Sequence, residues 1–161
     1  MRRPVIDSFD AKLLNILQAN NLITSSDLAE QVHLSSASCL RRVRRLREEG
    51  VIASDVSIVS PELAGLAMTM IVLVTLERER TDLMDNFKRS VLNAPEVFQC
   101  YYVTGDFDFV LIVTVRNLSD YEDFTNRFFF DNPNVRRFST MVVMNRTKFS
   151  TSVPVESNNP G

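Results

Sequence analysis

The sequence predicts an α+β protein of two domains, in which three short helices precede a unit of alternating strands and helices. Two observations predict this class. Apolar residues recur at helical spacing in the first part of the chain, whereas from Met68 onward strongly β-forming runs alternate with two helical segments. The second observation is an internal near-repeat, since IVLVTL at 71–76 is echoed by VLIVTV at 110–115, a period of about 38 to 40 residues.

The first part of the chain is predicted to form a helix-turn-helix unit. A helix is expected at 7–19, and Thr24 begins a capping-box pattern at the start of a second helix. Ser35 is a good N-cap for a third helix, and Gly50 is a good residue just past its last turn. His33, in the tight turn between the last two helices, is expected to tolerate a positive φ and not to bind metal or act as a base.

The third helix is strongly basic, with five arginines in seven residues. The first 60 residues hold 8 Lys and Arg against 7 Asp and Glu, and the remaining residues hold 10 against 13. Cys39, Val43 and Leu46, with Leu40 beside them, form a stripe that can face a core. A merely solvated helix face would mix charge signs, so we predict contact with double-stranded DNA. The predicted base-reading residues are Ser36, Ser38, Arg41 and Arg42, and the predicted phosphate contacts are Arg44, Arg45 and Arg47.

The rest of the chain follows the order βαββαβ. Residues 51–59 alternate loosely and are expected to form a strand that leads to a hinge near residue 60. The βαββαβ order predicts a ferredoxin-like sandwich, whose helix-free face is apolar and should pack on another copy. We therefore expect a helix-turn-helix domain at 1–60, a ferredoxin-like oligomerisation domain at 61–153, and a mobile tail at 154–161, and the family resemblance given below implies that the first domain is winged and the second binds an effector.

Composition excludes several classes of protein. The longest apolar run, at 66–76, is shorter than the roughly 20 residues that span a bilayer, and the N-terminus is too polar for a signal peptide. A cytoplasmic, nucleoid-associated protein with no membrane partner is therefore expected. Cys39 and Cys100 lie far apart in apolar patterns, so neither a disulfide nor a metal site is expected. No cofactor and no catalytic residue are expected.

Five segments together resemble the Lrp/AsnC, or feast/famine, family of transcription regulators. They are DxxDAKLLNILQ, SSDLAEQVHLS, SCLRRVRRLREEGVI, GDFDFVLIV and RRFSTMVVMNRTKFST, in order from about residue 7 to 153. The resemblance implies a winged helix-turn-helix joined to an amino-acid-sensing domain. It also implies homodimers that associate further, often into octamers.

The turn at 105–108 is similar to that family's glycine-and-acid loop, which lies between sensing domains in members that bind an effector. Glycine exposes amides that suit a carboxylate, and an aspartate can pair with an α-ammonium group. A plain hairpin turn remains the alternative. The candidate effector-binding residues are Gly105, Asp106, Asp108, Thr140, Ser139 and Tyr102.

The sequence thus predicts a sequence-specific DNA-binding transcription regulator whose DNA binding or assembly responds to a small effector, an amino acid. Two alternatives stay open. A nucleoid-organising protein without an effector would wrap DNA with the same arginines, and its binding would follow salt and length. An enzyme of ferredoxin-like fold would use Asp106 and Asp108, although the sequence places no nucleophile or base beside them.

Overall fold

The structure is a computed structural model that describes residues 4–78 and 80–158, and its chain divides into two units. One unit joins the chain up to Ser57 with the chain from Lys148, and the other runs from Ile58 to Thr147. The elements are α1 (Ser8–Ala19), α2 (Ser25–Val32), α3 (Ser36–Glu48), β1 (Met68–Leu76), α4 (Thr81–Leu92), β2 (Val97–Tyr102), β3 (Phe109–Val115), α5 (Leu118–Thr125), continued by a π-helical turn (Asn126–Phe130), and β4 (Val135–Val142).

Each helix of the first unit begins at a side chain that caps it. Asp7, Thr24 and Ser35 accept hydrogen bonds from the backbone amides three residues further on, at 2.8, 3.1 and 3.2 Å. His33 takes the left-handed conformation, φ 58° and ψ 46°, so the turn between α2 and α3 is as tight as predicted. The three helices enclose a small apolar core of Leu13, Leu28, Ala29, Val32, Cys39 and Val43.

Residues 51–60 form no strand among the described parts of the chain, so the strand expected there is wrong. The apolar side chains of Val56, Ile58 and Val59 are exposed. A strand requires a hydrogen-bonded neighbour, and every described strand is already assigned to the sheet of the second unit. The alternation in this segment therefore has no ladder to join within one chain.

The C-terminal segment also differs from the expected division of the chain. The expectation was a boundary near residue 60 and a mobile tail at 154–161, of which 159–161 lie outside the described residues, whereas the described residues from Lys148 onward group with the helical unit. The side-chain amide of Asn158 accepts from the amide of Ile6 at 2.7 Å, and the Asn158 amide donates to the Ile6 carbonyl at 3.0 Å. The tail is thus tied to the start of the helical unit.

Two side chains of α1 bind the C-terminal segment 148–158, called the docked tail below, by reciprocal pairs of hydrogen bonds. Asn15 donates to the Val155 carbonyl at 2.9 Å and accepts from the Val155 amide at 3.1 Å. Gln18 does the same with Val153, at 2.9 and 2.8 Å. The two amides bind alternate residues of the tail backbone, as a neighbouring strand would.

The second unit is an antiparallel sheet in the order β2-β3-β1-β4, with β1 paired to both β3 and β4. This is the split βαβ topology of the ferredoxin-like fold, as predicted. Helices α4 and α5 share a core with one face of the sheet. Its fully buried members include Met70, Val72, Val74, Phe87, Phe109, Leu111, Val113, Phe124 and Phe129.

The opposite face of the sheet carries apolar side chains that no described helix covers. Register places Ile71, Leu73, Val110 and Ile112 on this face because each alternates with a core residue. Tyr101 and Met141 extend it onto the edge strands and are about half exposed. The open apolar face predicted from the sequence is therefore present. Among the described residues, no helix has the length and apolar character needed to cross a membrane.

Candidate DNA-binding surface and effector loop

The arginines of α3 fall into two groups, and the first group is bound to carboxylates of α1. A guanidinium nitrogen of Arg42 lies 2.7 Å from a carboxylate oxygen of Asp7 and 2.8 Å from Oδ1 of Asp10. A guanidinium nitrogen of Arg45 lies 2.5 Å from Oδ2 of Asp10. The Asp10 side chain is only 1% exposed. Arg42, predicted to read bases, and Arg45, predicted to bind phosphate, thus hold α3 against the start of α1.

The charges of this cluster stabilise one another. Burial alone raises the pKa of Asp7, but hydrogen bonds from the Asp10 amide and the Arg42 guanidinium outweigh burial and bring that pKa below its usual value. The hydrogen bond to Asp7 is the largest cause that raises the pKa of Arg42. Asp7 and Asp10 also form a reciprocal capping box at the start of α1. Asp7 and Arg42 therefore remain ionised at neutral pH, and the cluster joins two helices.

The second group lies on the side of α3 that faces away from the core. Arg41 has no ion-pair or hydrogen-bond partner among the described residues, and its side chain is exposed. Arg44 pairs with Glu48 at 2.8 Å and Arg47 with Asp55 at 2.9 Å, and all four of these side chains are solvent-exposed. Exposed pairs of this kind exchange readily for other partners, such as phosphates.

The same exposed side of α3 holds two small or apolar residues, Ala37 and Leu40. Leu40 was expected beside the core stripe, yet it is 57% exposed. Consecutive residues of a helix are about 100° apart, so with Cys39 fully buried Leu40 turns outward. Ser36 and Ser38, predicted to read bases, are half-buried at the first turn and flank this exposed side.

The loop between β2 and β3 has the backbone that its sequence predicted. Gly105 adopts φ 119°, a conformation closed to other residues without strain. Asp106 is exposed at the tip of the loop. Asp108 accepts a hydrogen bond from the Leu76 amide at 2.7 Å, so this carboxylate anchors the loop to the end of β1. Of the two acids, Asp106 is exposed and Asp108 is half-buried.

A basic residue that the sequence analysis missed lies beside this loop. The guanidinium carbon of Arg137 is 5.3 Å from the centre of the Phe107 ring, and its Nε is 3.4 Å from the hydroxyl of Thr75. Register pairs Arg137 with Thr75, which places it on the open face at the loop end of β4. The sequence did contain a signal for this residue. Alternate residues of a strand share one face, so in the predicted strand VRRFST it is Arg137, and not Arg136, that shares the face of Ser139.

The remaining candidate effector residues lie on different strands and on different faces of the sheet, and of these only Tyr102 borders the loop. Tyr102 ends β2 with its ring 5.2 Å from Phe109, whereas Thr140 lies on β4, the other edge strand. Three strand spacings, roughly 14 Å, separate those edges. Thr140 is hydrogen-bonded to the Tyr121 hydroxyl at 2.5 Å on the helix-covered face, and burial raises the pKa of Tyr121. Ser139 faces the opposite way.

A cavity of about 490 Å³ lies elsewhere in the second unit and includes none of the predicted site residues. Its arginines are already paired, Arg116 with Asp120 and Arg127 with Glu96, each at 2.5 Å. No cluster of three or more metal-ligating side chains occurs in the described parts of the chain.

A helix-turn-helix with an exposed basic side, joined in one chain to a ferredoxin-like sheet with a glycine-and-acid loop, defines the class of two-domain transcription regulators. Comparison with known families agrees. Residues 6–53 match the winged helix-turn-helix DNA-binding family, and residues 69–153 match the Lrp/AsnC ligand binding domain. The chain belongs to the Lrp/AsnC family, and it is a transcription regulator with a DNA-binding and a ligand-binding domain.

Individual relatives cover almost the whole chain. An uncharacterized HTH-type transcriptional regulator from Sinorhizobium fredii is 54% identical over 94% of this chain and 89% of its own length. The leucine-responsive regulatory protein of Haemophilus influenzae is 35% identical over 91% and 89%. A transcriptional regulator from Neisseria meningitidis, solved as a complex with L-Met, superposes with a TM-score of 0.87 at 30% identity, covering 92% of this chain and 96% of its own.

Proposed function

We propose that the protein binds specific DNA sites as a homo-oligomer and that a free amino acid bound at the second unit sets its affinity or assembly. The observation that carries the DNA-binding part is Arg41 on the outer side of α3, which is exposed and has no partner among the residues that the structure describes. In a helix-turn-helix the early turns of the recognition helix meet base edges. Arg41 is the long basic side chain of those turns that is free to do so.

The predicted DNA-binding residues take unequal parts in this proposal. Arg41 contacts bases, Arg44 and Arg47 exchange their exposed carboxylate partners for phosphates, and Ser36 and Ser38 contact the flanking backbone. Arg42 and Arg45 act indirectly, because their guanidinium groups are held by Asp10. They fix the orientation of α3 that the other residues use.

The loop at 105–108, called the effector loop below, has side chains and backbone groups that fit the two charged groups of an amino acid. Asp106 supplies an exposed carboxylate for the ammonium group, and the backbone at Gly105 offers amides to a carboxylate. Arg137, beside the loop, supplies a guanidinium for the same carboxylate. Asp108 shapes the loop. Tyr102 borders the loop at the end of β2 and Ser139 lies on the open face near Arg137, whereas Thr140 is turned to the helix-covered face. The L-Met bound to the Neisseria meningitidis regulator makes L-methionine the first ligand to try.

The open face of the sheet supports the homo-oligomer. A contiguous apolar surface of Ile71, Leu73, Val110 and Ile112 is covered in a stable protein, and a second copy of the same face is the simplest cover. Dimers that associate further into octamers, a cytoplasmic location on the nucleoid and the absence of catalytic activity all belong to the proposal.

DNA selection and a ligand screen test the proposal together. The purified protein is expected to enrich a defined site from random DNA, and L-methionine or another amino acid should raise its melting temperature by mass action. Equal binding to selected and random DNA, with no thermal shift from any amino acid, would support a nucleoid-organising protein instead.

A further inference from the structure

Leu40 is an apolar side chain on a surface that otherwise suits a polyanion. It is 57% exposed, in the second turn of α3, between Ala37 one turn earlier and Arg44 one turn later. A large apolar group in water contributes nothing to folding, and the core stripe of Cys39, Val43 and Leu46 is complete without it. Single exposed leucines are common on protein surfaces, but Leu40 shares the outer side of α3 with Arg41 and Arg44, which is the side proposed to meet DNA.

The neighbours of Leu40 indicate what its partner is. Arg41 and Arg44 lie on the same exposed side of the helix, and an apolar protein surface would desolvate both guanidinium groups while offering no counter-charge to Arg41, since Glu48 pairs only with Arg44 among the described residues. The major groove of DNA offers phosphates to the arginines and one kind of apolar group, the C5-methyl of thymine. Ala37, with only a methyl side chain, leaves the first turn free to approach the base edges closely.

We infer that Leu40, with Ala37, forms an apolar facet that recognises thymine methyl groups, next to an Arg41 that recognises guanine. The inference rests on the proposed function and adds the base chemistry of its site. Each half-site then contains a thymine beside a guanine within the few base pairs covered by the first two turns of α3. Discrimination between bases comes from two side chains. Leu40 selects thymine by contact with its methyl group, and Arg41 selects guanine by bidentate hydrogen bonding.

The thymine methyl group can be removed without changing base pairing, by replacing thymine with deoxyuridine. The full-length protein first selects its site from random-sequence DNA, and each thymine of that site is then replaced singly. Replacement of the thymine that contacts Leu40 is expected to weaken binding about three- to fivefold, as burial of one methyl-sized group predicts. Replacement at other thymines is expected to have little effect.

Protein variants identify the side chain responsible. Leu40→Ala is expected to bind the thymine and deoxyuridine sites with nearly equal affinity, and it should fold because Leu40 is exposed and alanine favours helix. Leu22→Ala, which truncates a leucine that is 93% exposed in the loop after α1, is the matched control and should keep the wild-type ratio.

The outcomes separate this inference from the function on which it rests. If the protein enriches no DNA site, the proposed function fails and the inference fails with it. If a site is enriched but lacks thymine under α3, or if deoxyuridine changes nothing, only the inference fails. A thymine preference that Leu40→Ala leaves intact would also overturn it.

Discussion

The carboxylate of Asp10 in α1 is fully buried and lies 2.8 Å from the guanidinium of Arg42 in α3. The same carboxylate binds Arg45 at 2.5 Å and caps the first turn of α1. One buried anion therefore fixes the angle between the first helix and the recognition helix. The side chains that project from the outer side of α3 depend on it.

Asp10→Asn should destabilise the helical unit by about 1.5–3 kcal/mol, because it neutralises the buried carboxylate that Arg42 and Arg45 share, while Arg42 keeps Asp7 and Arg45 is partly exposed. Chemical denaturation followed by circular dichroism measures the loss. Glu48→Gln removes an exposed carboxylate from the same helix and is the control, with an expected change of no more than about 0.5 kcal/mol. Equal effects of the two substitutions would show that the buried cluster contributes no stability.

Stability should fall in acid partly through Asp7. Its pKa is lowered on folding, so its stabilising contribution is complete above the unfolded value near 3.8 and is lost as pH falls through the lower folded value. Asp7→Asn keeps a side chain that can cap α1 but removes this titration. We expect the variant to lose less free energy of unfolding than the wild type between pH 4 and pH 2.5. Parallel pH profiles for the two proteins would contradict this cause.

The docked tail should protect α1 from local unfolding. Asn15→Ala combined with Gln18→Ala removes four hydrogen bonds to the tail, and a loss of about 1–2 kcal/mol is expected because these bonds are exposed. Hydrogen exchange measured along α1 and residues 148–158 reports the change. Gln31→Ala, an exposed glutamine of α2, is the control. Unchanged exchange in both segments would mean that the tail does not hold the helix.

The sequence predicted the fold more completely than the site, and particular residues show why. Caps at Thr24 and Ser35, and the positive φ of Gly105, follow from local chemistry, so the pattern of nearby residues predicts them. The pairing of Asp10 with Arg42 joins residues 32 positions apart, and only the packed structure decides which arginines turn inward. The bond of Asp108 to Leu76 and the place of Arg137 beside the loop could not be predicted for the same reason, since their neighbours come from other strands.

Substitutions in and beside the effector loop should distinguish residues that bind the amino acid from residues that stabilise the fold. Asp106→Asn and Arg137→Ala should each abolish the thermal shift caused by an amino-acid ligand while leaving the unliganded melting temperature almost unchanged, because both side chains are exposed. Asp108→Asn should lower the unliganded melting temperature, because its bond to the Leu76 amide loses a charged acceptor. A full ligand shift in both Asp106→Asn and Arg137→Ala would place the effector elsewhere.

The central claim is that the outer side of α3, with Arg41 at its centre, reads DNA sequence. The most direct test compares the affinity of wild type and Arg41→Ala for a selected site and for random DNA at moderate salt. Wild type should prefer the selected site by about 10³-fold or more, and Arg41→Ala should lose about 5- to 150-fold on that site with little loss on random DNA. Equal losses on both DNAs, or none on either, would contradict the claim.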